Sequence, residues 1–262
     1  MRLRILHLHL PTAVLLAASP ALAQQPAEVR VPLNDSVAVF ADIHTTGTDL
    51  TRPVILLFHQ AGSDARGEYG PIIPRLTGEG YHVIAADIRG GGTRFGTNRA
   101  GTAGEGYPYC VALEDVAAII TMARARGFSG KLVLWGSSYS AALVIVTAAR
   151  RTADVAAVLA FSPAWGGPMR GCEPEEYASQ LSRANVPLLV LRPAPEMELE
   201  PIRSRTEQFR EAGAQVFVAA NGAHGSSMLV ESRVQGDTGP QWGAVLTFLR
   251  TSLQTRAQDK AR

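Results

Sequence analysis

The chain has 262 residues, 46% hydrophobic and 18% charged, with a formal net charge of +2. That length and apolar share support one globular domain of moderate size with a full core. So small a charge excludes the strongly basic face that nucleic-acid binding requires, and no nucleic-acid partner is expected.

The chain opens MRLRILHLHLPTAVLLAASPALAQQ. Arg2 and Arg4 form a basic start, Leu10 to Ala18 an apolar run, and Ala21-Leu22-Ala23 a small-residue cleavage pattern before Gln24. This reads as a secretory signal peptide over residues 1–23, since the apolar run is too short to span a membrane. No cysteine follows the cleavage pattern to take a lipid anchor. The expectation is a secreted or periplasmic protein, a single mature domain over residues 24–262, and no stable membrane insertion once the leader is gone. Removing residues 1–23 removes two arginines and no acid, which brings the formal charge to zero. Cys110 and Cys172 are then an even pair in an oxidising compartment, hence a candidate disulfide.

Glu28 to Ile43 alternates loosely around Asn34-Asp35-Ser36 and predicts a β-hairpin at a sheet edge. Pro53 opens the apolar run Val54 to Phe58, a central strand covered on both faces, which ends in the loop His59-Gln60-Ala61-Gly62-Ser63. Tyr69, Ile72, Ile73 and Leu76 have helical spacing, with Gly80 as the stop. A second buried strand, Tyr81 to Ala86, meets Asp87-Ile88-Arg89-Gly90 and a long Gly-rich stretch to about Tyr109. That stretch lacks the Lys-Ser/Thr and helix of a phosphate cradle and reads as a plain flexible loop. Leu113, Val116, Ala117, Ile120 and Ala123 draw a helical face, with Glu114 and Asp115 in its first turn and Arg124 and Arg126 in its last. After the stretch Lys131 to Ala149 come a strand, Val155 to Phe161, and a Pro/Gly-rich excursion, Ser162 to Asn185. Then follow a strand from Leu188 to Leu191, a helix from Pro201 to Gly213, a strand from Val216 to Ala219 and a last helix from Pro240. Strands alternating with helices predict a three-layer α/β domain with a mainly parallel sheet.

The stretch Lys131 to Ala149 organises the rest. Leu132 to Trp135 reads as a buried strand and Ala141 to Ala149 as a helix packed on the sheet. Between them lies Gly136-Ser137-Ser138-Tyr139-Ser140. A strand turning straight into a helix strains the corner residue and crowds its neighbours two positions away. A serine at that corner projects its hydroxyl from the sheet edge, over the helix N-terminus.

A serine hydroxyl needs a base, a group that orients the base, and donors for the developing oxyanion. The order Ser138, an acid, then His224 in Gly222-Ala223-His224-Gly225, on a strand–elbow–helix scaffold, resembles the α/β-hydrolase superfamily, in its small esterase and dienelactone-hydrolase-like branch. The resemblance runs from about Val54 to about Leu249 and implies an α/β-hydrolase fold with helices on both faces of the sheet. It implies Ser138 as nucleophile and His224 as general base. Ser140 departs from the usual pattern, standing where glycine is common. His44 and His82, within or beside predicted strands, carry no such implication. The family's acid follows the strand Leu188 to Leu191. No aspartate occurs between Asp154 and Asp237, so the resemblance implies a glutamate there, and aligning Pro187 to Leu191 with the family's strand puts Glu196 at the acid position, with Glu198 and Glu200 as alternatives. The oxyanion donors would be the backbone N–H groups of Tyr139 and of Ala61, in a loop that resembles the family's His-Gly-x turn with Gln60 in place of glycine. His59 holds that loop, Asp87 and Arg89 shape theirs by charge pairing, and Trp165, Met169 and Tyr177 are candidate pocket walls. A Cys110–Cys172 bridge would pin the rim of the pocket.

The resulting expectation is an exported serine hydrolase acting on small carboxylic esters, with no metal or organic cofactor. A peptidase or amidase with the same triad and a binding protein on an inactive hydrolase scaffold remain as alternatives.

Overall fold

The apolar runs become strands whose side chains divide between two cores. In β3 (Val54–Phe58), Val54, Leu56 and Phe58 enter one core while Ile55 and Leu57 enter the other. In β5 (Leu132–Ser137), Leu132 and Leu134 part from Val133 and Trp135 in the same way. The two-residue period of an extended chain forces this division, and an all-apolar strand is stable only where both sheet faces are covered. The structure is a computed structural model that describes residues 25–254 except 103, 105 and 235. The leader expected over residues 1–23 lies outside the described residues.

The remaining strands are β1 (Ala27–Pro32), β2 (Ala38–His44), β4 (His82–Asp87), β6 (Ala157–Phe161), β7 (Leu188–Pro193) and β8 (Gln215–Ala219). All join one sheet in the order β1-β2-β4-β3-β5-β6-β7-β8. β1 and β2 form the expected hairpin, its turn closed by Asn34 Oδ1, which accepts the N–H groups of Ser36 and Val37. β2 also runs antiparallel to β4, and all later pairings are parallel.

Helices cover both faces. α3 (Leu113–Ala125), α4 (Tyr139–Arg150) and α5 (Glu175–Arg183) pack on the first core, with Phe209 of α6 (Glu200–Glu211). α1 (Ala65–Tyr69), α2 (Ile73–Gly78) and α7 (Gly239–Gln254) pack on the second. Two expectations need correction. The single helix through Tyr69 and Leu76 is two short ones, because Pro71 and Pro74 lack the N–H that would continue the first. The excursion Ser162 to Asn185 is not wholly irregular, since it contains α5. That helix buries only Ala178 and Leu181, too few apolar positions for a visible period. Its acidic first turn, Glu175 and Glu176, and basic end, Arg183, were the available signal.

The Gly-rich loop after β4 is also more than a free loop. Arg99 reaches back to Asp87 at 2.6 Å, to the buried Asp42 at 3.0 Å and to Glu28 at 3.0 Å. Arg66 of α1 joins two of these carboxylates, Glu28 and Asp42. Burial pushes the Asp42 carboxyl up, but hydrogen bonds and charge from Arg66 and Arg99 outweigh this and hold it below its ordinary value. Asp87 also accepts the Ala65 N–H, while Arg89 pairs with Asp115 at 2.6 Å. Charge pairing thus shapes both loops.

Cys110 and Cys172 are bonded, with Cα atoms 5.9 Å apart. The bridge joins the turn before α3 to the turn after β6, across 62 residues of chain. A disulfide typically contributes about 2–4 kcal/mol. Replacing both cysteines by serine should lower Tm by about 4–16 °C at ~2–4 °C per kcal/mol. Calorimetry on the double variant checks this.

Candidate active site

The chain leaves β3 toward the second core through α1 and α2, and leaves β5 toward the first through α4. The loops after β3 and β5, adjacent strands, therefore diverge and open a crevice at the carboxyl edge of the sheet. Ser138 sits in that crevice, between the last residue of β5 and the first of α4, with φ 60° and ψ −117°. A non-glycine residue in this region is strained and needs surrounding contacts to hold it. Here Ser138 N–H donates to Phe161 O at 2.8 Å and Ser138 O accepts from Ala164 N–H at 3.0 Å. A Cβ on Gly136 would lie 2.4 Å from Ser140 O, which is why the position two before the corner is glycine.

Ser140, where glycine is common, has a use of its own. Its Oγ accepts the Ser137 N–H at 2.8 Å and donates to Phe58 O, the last carbonyl of β3, at 2.6 Å. The hydroxyl ties the elbow to the neighbouring strand. Sequence reading passed over this, since size alone was weighed.

His224 arrives on the loop after β8, and three contacts pin that loop against the elbow. Gly225 N–H donates to Ser162 Oγ at 3.1 Å, Ser226 N–H to Ser137 Oγ at 2.9 Å, and Trp135 Nε1–H to Ser226 Oγ at 2.9 Å. His224 Nδ1 lies 2.6 Å from Glu196 Oε1. Glu196 belongs to a 3₁₀ turn, Ala194–Glu198, directly after β7. Glu198 and Glu200, the alternatives, are exposed and make no hydrogen bond to His224. The other oxygen of Glu196 accepts Arg192 Nη1–H at 3.0 Å. Arg192, itself buried, also donates to Pro163 O at 2.9 Å. Burial pushes the Glu196 carboxyl up, but the hydrogen bond and charge of His224, with the Arg192 guanidinium, hold it below its ordinary value. Burial lowers Arg192 in turn, and the charge of Glu196 opposes that. Sequence reading missed Arg192, because an arginine at the end of an apolar strand looks like the chain returning to solvent.

Ser138 is partly exposed, and its Oγ makes no hydrogen bond among the described residues, to His224 or otherwise. The imidazole, with 52% of its side chain exposed, is brought to the same edge. A cavity of about 470 Å³ opens beside His224, lined by Gln60, Arg94, Phe95, Ala223, Ser227 and Arg233. The N–H groups of Tyr139 and Ala61 carry no protein acceptor among the described residues. Of the expected pocket walls, Trp165 is exposed beneath the Arg205 guanidinium, 4.8 Å from its ring. Met169 is instead buried in the first core, and Tyr177 packs against Arg150. α5 turns the end of the excursion back over α4. Among the described residues no group of His, Cys, Asp and Glu could hold a metal ion.

The fold is that of the α/β hydrolases. The chain belongs to the family described as serine aminopeptidase, S33, whose model matches residues 50–225, a span that contains Ser138, Glu196 and His224. Among solved structures it is similar to Est1E from Butyrivibrio proteoclasticus with ferulic acid bound (14% identity, TM-score 0.64, 86% of this chain and 98% of that one). An esterase from Pyrococcus furiosus is similar at 16% identity and TM-score 0.64, over 92% of this chain and 96% of that one. The acylaminoacyl peptidase of Pyrococcus horikoshii is similar at 15% identity and TM-score 0.62, over 87% of this chain but 42% of that one. At these identities the likeness is one of fold. No curated protein matches the sequence.

Two stability measurements follow. Ser140→Gly restores the commoner residue yet removes both hydroxyl bonds, and should cost about 1–3 kcal/mol in urea unfolding. Because folding lowers the Glu196 value, its contribution is complete above the ordinary glutamate value of 4.5 and is lost as pH falls through the lower folded value. Below about pH 4.5 the wild type should therefore lose stability more steeply than Glu196→Gln.

Proposed function

We propose that this chain is an exported serine hydrolase that cleaves small carboxylic esters through an acyl-enzyme on Ser138. The observation that carries this reading is the 2.6 Å contact between His224 Nδ1 and Glu196 Oε1, on a loop fastened to Ser137 and Ser162 beside the elbow. With Nδ1–H donated to the carboxylate, Nε2 is left as the base that takes the Ser138 proton. Ser138 Oγ attacks the acyl carbon, and the oxyanion is received by the N–H groups of Tyr139 and Ala61. His224 returns its proton to the departing alcohol. Water then attacks the acyl-enzyme by the same route and frees the acid. Arg192 keeps Glu196 ionised in its partly buried site, so a full negative charge faces the imidazolium as it forms.

The ester reading is supported by the solved structures that align along almost their whole length, one of them named an esterase. The peptidase among them is matched over less than half its chain. An amide or peptide substrate is the second reading, favoured by the description of the family as serine aminopeptidases. Export is supported by the leader pattern of residues 1–23 and agrees with the Cys110–Cys172 bridge. Among the described residues no helix is long and apolar enough to cross a membrane.

A fluorophosphonate probe should label the wild type and not Ser138→Ala; absence of labelling in the wild type would leave a binding protein on an inactive scaffold. A p-nitrophenyl ester should turn over far faster than the matching anilide, and the reverse order would establish the amidase. Glu196→Gln should lower kcat by about 10³–10⁴-fold. Glu196→Ala is the poorer test, because it strands the buried Arg192 charge at a cost of about 3–5 kcal/mol.

A further inference from the structure

Glu68 lies on α1, outside the proposed triad, and its side chain is fully buried. Acidic side chains are almost never fully buried unless they are paired. Among the described residues Glu68 has no ion pair: its Oε2 accepts the backbone N–H of Gln60 at 2.8 Å, and its Oε1 makes no hydrogen bond. The hydroxyls of Ser137 and Ser63 and the ring of His59 are close enough to act on its charge. Burial pushes its carboxyl up, and those neighbours with the Gln60 N–H oppose the rise. The group is therefore a burden on stability, set between the loop after β3 and the residue before the nucleophile.

The bonds of Gln60 show what it does there. Gln60 O accepts from Ser63 N–H at 3.2 Å and lies 2.8 Å from His59 Nδ1. His59 Nε2 accepts the Ile88 N–H at 3.1 Å, which leaves the ring proton on Nδ1, donated to Gln60 O. Both backbone handles of Gln60 are thus held, the N–H by Glu68 and the carbonyl by His59 and Ser63. The next peptide is planar and trans, so its N–H, that of Ala61, points opposite to the Gln60 carbonyl. Gln60 also lines the cavity beside His224, and a Cβ on Gly225 would lie 3.7 Å from its side-chain Oε1. Fixing Gln60 fixes where the Ala61 N–H is aimed.

We propose that Glu68 is a positioning residue for the hydrolysis, its carboxyl oxygen holding the Gln60 amide so that the Ala61 N–H is set to receive the oxyanion. The inference rests on the serine-hydrolase reading above. Its failure is separable from failure of that reading, since probe labelling of Ser138 does not require Glu68.

The test uses three variants of the full chain. Glu68→Leu keeps bulk and removes the acceptor, Glu68→Gln keeps an acceptor oxygen without charge, and Glu68→Asp keeps the charge but withdraws it by one methylene. Readouts are kcat and KM on a p-nitrophenyl ester, and the inhibition constant of a trifluoromethyl ketone, whose tetrahedral adduct places an oxyanion in the hole. Loss of an aligned donor predicts that Glu68→Leu and Glu68→Asp lose about 10²-fold in kcat and in ketone affinity, with KM within about twofold. Glu68→Gln should stay within about fivefold of wild type in both. If Glu68→Leu does not fold, the comparison of Asp with Gln decides alone. Wild-type kcat and ketone affinity in a folded Leu or Asp variant would overturn the proposal. So would a loss in Gln equal to that in Asp, or lowered Tm with no change in kcat.

Discussion

The chain's chemistry hangs on one backbone corner. β5 becomes α4 at a single residue, and Ser138 is held at a φ that an L-residue adopts only under constraint. Strain of this kind costs about 1–3 kcal/mol, so it persists only because the surroundings leave no alternative. Phe161 and Ala164 take the two backbone groups of Ser138, and Ser140 fastens the turn to Phe58. The sheet supplies the rigidity: these partners come from the ends of β3 and β6, the strands on either side of β5.

The same edge gathers the other groups by short polar links rather than by apolar packing. Ser137 Oγ and Ser162 Oγ each accept one N–H from the loop that bears His224. The buried Arg192 grips Glu196 from beneath, which leaves the carboxylate's second oxygen for the imidazole. The carboxylate is thus shared between a buried guanidinium and a half-exposed histidine. In the loop after β3, Glu68 accepts the Gln60 N–H and His59 Nδ1 lies against the Gln60 carbonyl. In both places a charged or polar side chain is buried where it costs stability, and what it secures is the direction of a neighbouring group.

Much of this was legible in advance because it is local. Strands buried on both faces announce themselves as unbroken apolar runs, and the elbow is a strand, a few small residues and a helix in succession. The order Ser138, acid, His224 follows from chain sequence alone. What stayed hidden depends on how turns and helices pack, even between residues close in the chain. Glu196, Glu198 and Glu200 look alike until the turn after β7 points one of them at Arg192 and leaves the others in water. Glu68 resembles any surface glutamate on a short helix until α1 packs its side chain under the loop of β3. Helix α5 escaped because two buried residues do not make a period, and the break between α1 and α2 because the apolar spacing runs on through Pro71 and Pro74.

By itself, then, the amino-acid order determined the alternation of strand and helix, the two-faced burial of the central strands and the identity of a serine at a strand-to-helix corner. Those features arise from side-chain periodicity and backbone sterics acting over a few residues. Only the tertiary structure decided which glutamate meets His224, that Ser140 is a tie rather than a tolerated substitute, and that a buried Glu68 sits behind the Ala61 loop. Glu196 meets His224 across 28 residues and Ser140 meets Phe58 across 82, while Glu68 and Gln60 are only eight apart and meet through the way α1 packs under the loop after β3. A hydrogen bond's direction there is set by how the elements pack, which no local pattern of apolar and polar residues encodes.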